Sequence, residues 1–415
     1  MMRAAGNRQL ILAAMIFAVA MTFIDQTIVS LAIPELQRDL GLSATGTQWI
    51  INAYLLSLSA LFAFGGRLAD IAGHRRIMVI GVTVFAVASA LCGATPTGDV
   101  AEAWMITFRV IQGAGAALMV PAALAIVVAA FPMAERGKAL ALFFGITGAL
   151  TAVGPLAGGY LTEWTWRSIF WINVPVAIIA LVLTYMAKPD DTRRPAPIDW
   201  RGAGLIVGGM ALAVLGLQQS STWGWTSPAT IACIAAGVIL LVVFVRVEMR
   251  TASPLIKMDI FTSRGFSGSN AVLFLFSAVF IPVFFFTSMY AQISLGEDAS
   301  EAGLYLLVFF AGFGVASQWG GRIYDARGVR ASVLPGCALG AVGFYLWAHA
   351  LDDFSLGDQW IYILMAGAGC GLVLGPASTD AVNRVSVERY GEATGITQTS
   401  AILARASAWP SSARS

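Results

Sequence analysis

The chain has 415 residues, of which 58% are hydrophobic and 12% charged, and its mean hydropathy is +0.77. A soluble globular domain carries about 25% charged residues to keep its surface wet, so this composition excludes one and points to a surface that faces lipid. The net charge of +2 names no acidic partner such as nucleic acid.

In chain order, the first apolar run covers 10–33. It follows Arg3 and Arg8, as a secretory leader would, but it is longer than the roughly 7 to 15 residues of a leader's apolar region and is interrupted by Asp25. It is therefore expected to stay as a first helix. Runs at 48–64, 77–94, 104–130, 139–161 and 169–186 complete a first set of six. A helix needs roughly 20 apolar residues to cross a bilayer core of about 30 Å, so each run is a predicted span. The charged stretch 188–201, with Pro189, Pro195 and Pro197, predicts a central linker. Six more runs follow at 202–217, 231–247, 266–289, 303–319, 332–351 and 360–376. The fold class is an all-α integral membrane protein with about 12 transmembrane helices.

The basic residues sort across these runs. With odd-numbered connections outside and even-numbered ones inside, Arg38 and Arg167 fall outside and Arg109 falls within a helix, which leaves 22 of the 25 on the inner side. Cytoplasmic loops are enriched in Lys and Arg, so the N-terminus and the linker are expected to be cytoplasmic in a multi-pass protein of the cell membrane. Cys92, Cys233, Cys337 and Cys370 all lie within apolar runs and are read as packing residues. His74 and His349 lie too far apart to seed a metal site. No hydrolase constellation is present, so no enzyme, metal or cofactor is expected.

One motif occurs twice. Gly66, Arg67, Asp70, Gly73 and Arg75 follow the second run, and Gly321, Arg322, Asp325, Gly328 and Arg330 follow the tenth, both as G-R-x-x-D-x-x-G-x-R. An internal repeat in a membrane protein predicts two related halves. Because the copies are eight runs apart rather than six, two extra helices are expected between the halves. Asp70, with Arg67, Arg75 and Arg76 nearby, is expected to form a charge cluster that latches the halves in one state.

Asp25 and Arg109 are the ionised residues deep within the runs, where charge is costly and functional by default. Asp25 is fifteen residues beyond Leu10, roughly 22 Å from the inner face, and Arg109 is five beyond Trp104, roughly 7 Å from the outer face, at about 1.5 Å per residue. Those levels agree in a core of about 30 Å. The pair is read either as a proton-coupling device or as an ion pair that orients two helices. Gln112, one turn from Arg109, can share a hydrogen bond on the same face. The fifth run holds Gly145, Gly148, Gly154, Pro155, Gly158 and Gly159. Its G-x-x-x-G allows close helix approach, and Pro155 removes a backbone donor; a kinked, moving helix and plain packing both fit. Gly367, Gly369, Gly371 and Gly375 in the twelfth run are open in the same way.

With these motifs, the helix 1 segment from Asp25-Gln26-Thr27 to Pro34, the helix 4 segment Arg109-Val110-Ile111-Gln112-Gly113 and the stretch from Trp166 to Pro175, the chain resembles the major facilitator superfamily. Within it the chain is similar to the fourteen-helix drug/proton antiporters of the EmrB/QacA type. The resemblance implies a six-helix half at 1–187, the linker and two inserted helices at 188–250, and a second half at 251–403. It implies proton coupling at Asp25 and Arg109, a substrate cavity that includes Gln26 and Gln112, and an antiporter motif at Gly148, Gly154, Pro155, Gly158 and Gly159. It also implies that the Asp70 latch meets a thirteenth helix. The expected activity is efflux of hydrophobic or amphipathic small molecules in exchange for protons; whether a periplasmic adaptor is a partner stays open. The rivals are a metabolite uptake symporter and a non-transporting remnant or sensor. The remnant reading follows from residues 404–415, whose Arg-, Ser- and Pro-bearing sequence suits no membrane helix. They are expected to be an aberrant tail after a broken frame, with the last two of fourteen helices missing.

Overall fold

A computed structural model of the chain describes residues 2–191, 197–251, 254–290, 295, 299–351, 356–385, 389–390 and 393–397. The expected aberrant tail at 404–415 lies outside the described residues. The helices are α1 (Met2–Leu40), α2 (Ala44–Ala72), α3 (His74–Gly93), α4 (Ala101–Ala130), α5 (Arg136–Trp164), α6 (Ser168–Trp171), α7 (Asn173–Ala187), α8 (Trp200–Trp223), α9 (Pro228–Glu248), α10 (Arg264–Met289), α11 (Ala299–Arg327), α12 (Val329–His349) and α13 (Leu356–Asn383). Ten spans among the described residues are long and apolar enough to cross a membrane. The protein is a multi-pass, all-α membrane protein.

Each apolar run lies in one helix except the sixth, which is divided at Ile172 between α6 and α7. The cause is local. Pro175 has no N–H to donate to the carbonyl of Trp171, so the ladder fails there, while a proline in the first turn of α7 is tolerated. Several helices also overshoot their runs. α2 and α11 each have 29 residues, about 44 Å at 1.5 Å per residue, against a lipid core of about 30 Å. The surplus carries the charged ends where both copies of the loop motif sit.

Packing groups the chain into two compact units. The first comprises Met1–Asp39, Val127–Lys188 and Phe280–Asn383, and the second Leu40–Ile126, Pro189–Val279 and Arg384–Ser415. In the first unit α13 presents glycine to two neighbours. Gly367 and Gly371 face the α11 backbone at Phe309 and Phe313, and Gly369 faces Gly340 of α12. Lipid supplies no hydrophobic drive for helix association, so close backbone approach at small residues supplies dispersion instead. Phe280, Phe309, Phe310 and Phe313 fill the space beside this seam as one aromatic cluster. In the second unit α8 and α9 cross at Gly237, where an added Cβ would lie 2.5 Å from the nitrogen of Ala213.

Candidate functional site

The second unit holds Arg109 in a built environment. Gly113 and Gly115 follow it on α4; a Cβ on Gly113 would lie 3.0 Å from Ser57 Cβ of α2, and one on Gly115 would lie 2.6 Å from the nitrogen of Phe85 of α3. The glycines thus draw both helices onto α4 one turn from the arginine. Ser57 Oγ closes the α2 side by donating to the carbonyl of Val110 at 2.7 Å. Within that pocket Arg109 is 1% exposed. Its Nε donates to the carbonyl of Ile50 at 2.9 Å, and an Nη donates to Gln112 Oε1 at 2.7 Å. Its guanidinium lies 4.4 Å from the centroid of the Tyr54 ring. Gln112 in turn donates from Nε2 to Ser89 Oγ at 3.3 Å.

A buried guanidinium survives only when its donors are directed at acceptors, because an uncompensated buried charge costs several kcal/mol. Three of the contacts of Arg109 are to a backbone carbonyl, an amide oxygen and an aromatic face. Tyr54 and Ser89 were missed by sequence reasoning, since an aromatic or a serine in an apolar run looks like packing. The available signal was their position on α2 and α3 at the level of Arg109. Asp25, on α1 in the first unit, is 0% exposed, and Gln26 beside it is half-buried.

The two copies of the loop motif have one backbone role in common. Gly73 (φ 102°) separates α2 from α3, and Gly328 (φ 81°) separates α11 from α12. A side chain there would strain the backbone, so the glycine of the repeat marks the sharp turn between two helices in both places. Asp70 is 4% exposed and accepts from His74 Nε2 at 2.9 Å. Asp325 reaches the start of α5, where Oδ1 accepts from the N–H of Gly137 at 3.0 Å and Oδ2 from that of Lys138 at 3.1 Å. The first N–H groups of a helix lack intrahelical partners and favour an anion, so Asp325 is a cap supplied by another helix.

The seam between α5 and α11 is close enough to make that cap possible. A Cβ on Gly321 would lie 2.8 Å from Ala141 Cβ, and Ser317 Oγ donates to the carbonyl of Ala141 at 3.0 Å. Gly148 faces the rings of Phe313 and Phe310, at 3.0 and 3.4 Å from its Cβ position. Arg136 extends the lock by donating to Asn383 Oδ1 at 2.9 Å, and Asn383 donates to the Tyr324 hydroxyl at 3.0 Å. Gly154 and Gly158 are buried in α5, which runs unbroken past Pro155; the surroundings of Pro155 and Gly159 lie outside the described part. Of the remaining motif residues, Gly66 is buried, Arg75 half-buried, and Arg76 and Arg330 are exposed. Arg322 lies 5.6 Å from the Trp319 ring centroid.

Among the described residues, three buried acids lie where the apolar runs end. Glu248 is 3% exposed, Asp70 4% and Asp380 6%. Sequence reasoning passed over Glu248 and Asp380 because the runs stop at 247 and 376 while α9 and α13 continue beyond them.

The Major Facilitator Superfamily profile matches residues 15–199 and 190–408. The tetracenomycin C resistance and export protein of Streptomyces glaucescens is 33% identical over 390 residues, covering 93% of this chain and 72% of that protein. The cephamycin export protein CmcT of Amycolatopsis lactamdurans is 34% identical over 388 residues, covering 90% of this chain and 78% of that protein. Among solved structures, the proton:xylose symporter XylE shares the fold with a TM-score of 0.68 at 14% identity, covering 98% of this chain and 88% of that one.

Proposed function

We propose that this chain, which belongs to the major facilitator superfamily, exports hydrophobic or amphipathic small molecules across the cytoplasmic membrane in exchange for protons, in the manner of the fourteen-helix EmrB/QacA type. The direction of transport rests on the relatives, whose names describe export of tetracenomycin C and of cephamycin. Proton exchange rests on the fully buried Asp25. A carboxyl group is the simplest carrier of a transported proton, because burial favours its neutral form and a nearby cation its charged form. Arg109, 1% exposed on α4, is the cation of that coupling pair, and Gln26 and Gln112 belong to the cavity.

In this reading 1–187 and 251–403 are the two halves that alternate access, and 188–250 carries the cytoplasmic linker and the inserted helices. α5 then belongs to one half and α11 to the other, so the Asp325 cap on α5 is the contact that breaks and reforms. The driving force is sufficient, since each charge moved yields about 2.3 kcal/mol per 100 mV.

The test uses the protein in liposomes with an imposed pH gradient and a fluorescent amphipathic cation as cargo. Accumulation is expected when the gradient drives protons against the cargo and is expected to vanish in Asp25→Asn, whose amide carries no exchanged proton. Counterflow in that variant persists if binding is intact. Uptake in the same direction as protons would replace export by symport, and gradient-driven exchange in Asp25→Asn would remove Asp25 from coupling.

A further inference from the structure

We propose that Glu248, Asp199 and Arg67 form a proton-binding cluster that fastens the inserted pair α8–α9 to α2. The cluster lies in the second unit, where the end of α9, the start of α8 and the charged end of α2 converge. Asp199 caps α8 through Oδ1, which accepts from the N–H of Arg201 at 2.9 Å and of Gly202 at 3.0 Å. Its other oxygen, Oδ2, is buried with no hydrogen-bond partner among the described residues. Glu248, one residue past the apolar run 231–247, is 3% exposed. Its Oε2 accepts from the N–H of Ile256 at 3.0 Å, and its Oε1 is buried and likewise unpartnered among the described residues.

The two orphaned oxygens flank one spot, since both lie within 3.0 Å of the place a Cβ on Gly202 would take. Arg67 completes the group. One Nη donates to the carbonyl of Pro254 at 3.3 Å, and its Nε is buried without a partner among the described residues. Among those residues the charged groups that act on Glu248 are Asp199 and Arg67. From α2 comes a cation, from the α8 cap a carboxylate, and from the 254–256 segment backbone N–H groups.

The charge count decides the ligand. Among the described residues, two carboxylates and one guanidinium leave the group one positive charge short, and like carboxylates at one site resist joint ionisation. One proton removes the net charge and converts an orphaned acceptor into a donor, with Glu248 Oε1–H directed at Asp199 Oδ2. The proton is taken up from water and returned to it, and no other bond changes. With the proton bound, Leu255 and Ile256, 2% and 4% exposed, are seated and Arg67 is committed to the 254–256 segment. Without it, the repulsion loosens the same contacts. Arg67 belongs to the repeated loop motif, so the cluster joins the inserted helices to that motif by a pH-sensitive fastening.

The experiment uses the full chain in lipid nanodiscs and needs no transported molecule, so it stands apart from the export reading. Infrared difference spectra between acidic and alkaline buffer are expected to show a protonated-carboxyl band in Asp25→Asn, and that band is expected to lose the intensity of one carboxyl in the Asp25→Asn/Glu248→Gln double variant. Stability contributed by a proton bound more tightly in the folded than in the unfolded chain is present at low pH and lost as pH rises. The thermal midpoint of the wild type should therefore fall more steeply with pH than that of Glu248→Gln, by the slope that one bound proton gives, because the amide imitates the protonated acid. Asp199→Asn carries the same expectation if Glu248→Gln does not fold. An unchanged band and an unchanged pH slope in both variants would overturn the proposal. So would stabilisation of the wild type by sodium at fixed alkaline pH to the level reached by acid, which would make the cluster a cation site.

Discussion

Removing the Asp325 carboxylate should open the seam between α5 and α11 by a measurable factor. Asp325 supplies acceptors for two N–H groups at the start of α5, at 3.0 and 3.1 Å, and its side chain is half-buried. Hydrogen bonds to a charged acceptor contribute about 1.5 to 3 kcal/mol each when well shielded, and a partly wet N-terminal cap about 0.5 to 2. For two bonds in a half-buried site, Asp325→Ala should cost about 1 to 3 kcal/mol, which is roughly 5- to 150-fold in the population of the opened seam. Asp325→Asn keeps one acceptor oxygen and should fall between. The reporter is Ser317→Cys, placed at a residue that is 0% exposed and bonded across the seam. Its alkylation rate follows the open population when opening is fast. Buried Cys92 on α3, read in the same digest by mass spectrometry, separates local opening from unfolding. Equal rates at position 317 in Asp, Asn and Ala chains, with Cys92 unreactive in all three, would refute the latch.

Arg109→Lys should reduce transport at least tenfold while keeping the charge, because a point cation cannot reproduce the fork to Ile50 and Gln112 or the stacking on Tyr54; wild-type rates in liposomes would show that charge alone matters. Gly369→Ala should lower the thermal midpoint, at a cost of about 1 to 3 kcal/mol for overpacking, since its Cβ would meet the Gly340 backbone. Gly204→Ala, with nothing within 4 Å of its Cβ position, should be neutral or stabilising by up to about 1 kcal/mol from helix propensity. Equal midpoints for the two would contradict the packing described. Single cysteines placed at 197–199 should resist an impermeant thiol reagent in intact cells and react in inverted vesicles, and the opposite pattern would reverse the topology.

The residues by themselves determined much of this protein. The apolar runs set where the long helices fall, because crossing lipid requires a fixed length of apolar helix whatever surrounds it, and ten spans among the described residues meet that length. The repeated motif was legible for a similar reason. Its glycine fixes a local backbone turn, and Gly73 and Gly328 both adopt positive φ where the repeat places them. Asp25 and Arg109 stood out because charge within an apolar run is visible without any neighbour.

What the sequence left undecided depends on partners far away in the chain. The neighbours of the α5 and α13 glycines were not legible: Gly148 lies against Phe313 and Gly369 against Gly340. Two copies of one motif gave no sign that one aspartate pairs with its own His74 while the other caps a helix that begins near residue 137. Glu248 was unremarkable as one more acid at the end of an apolar run. Its isolation arises only where α2, α8 and the 254–256 segment close around it, because burial and the count of nearby charges belong to the tertiary structure and not to any local stretch of sequence.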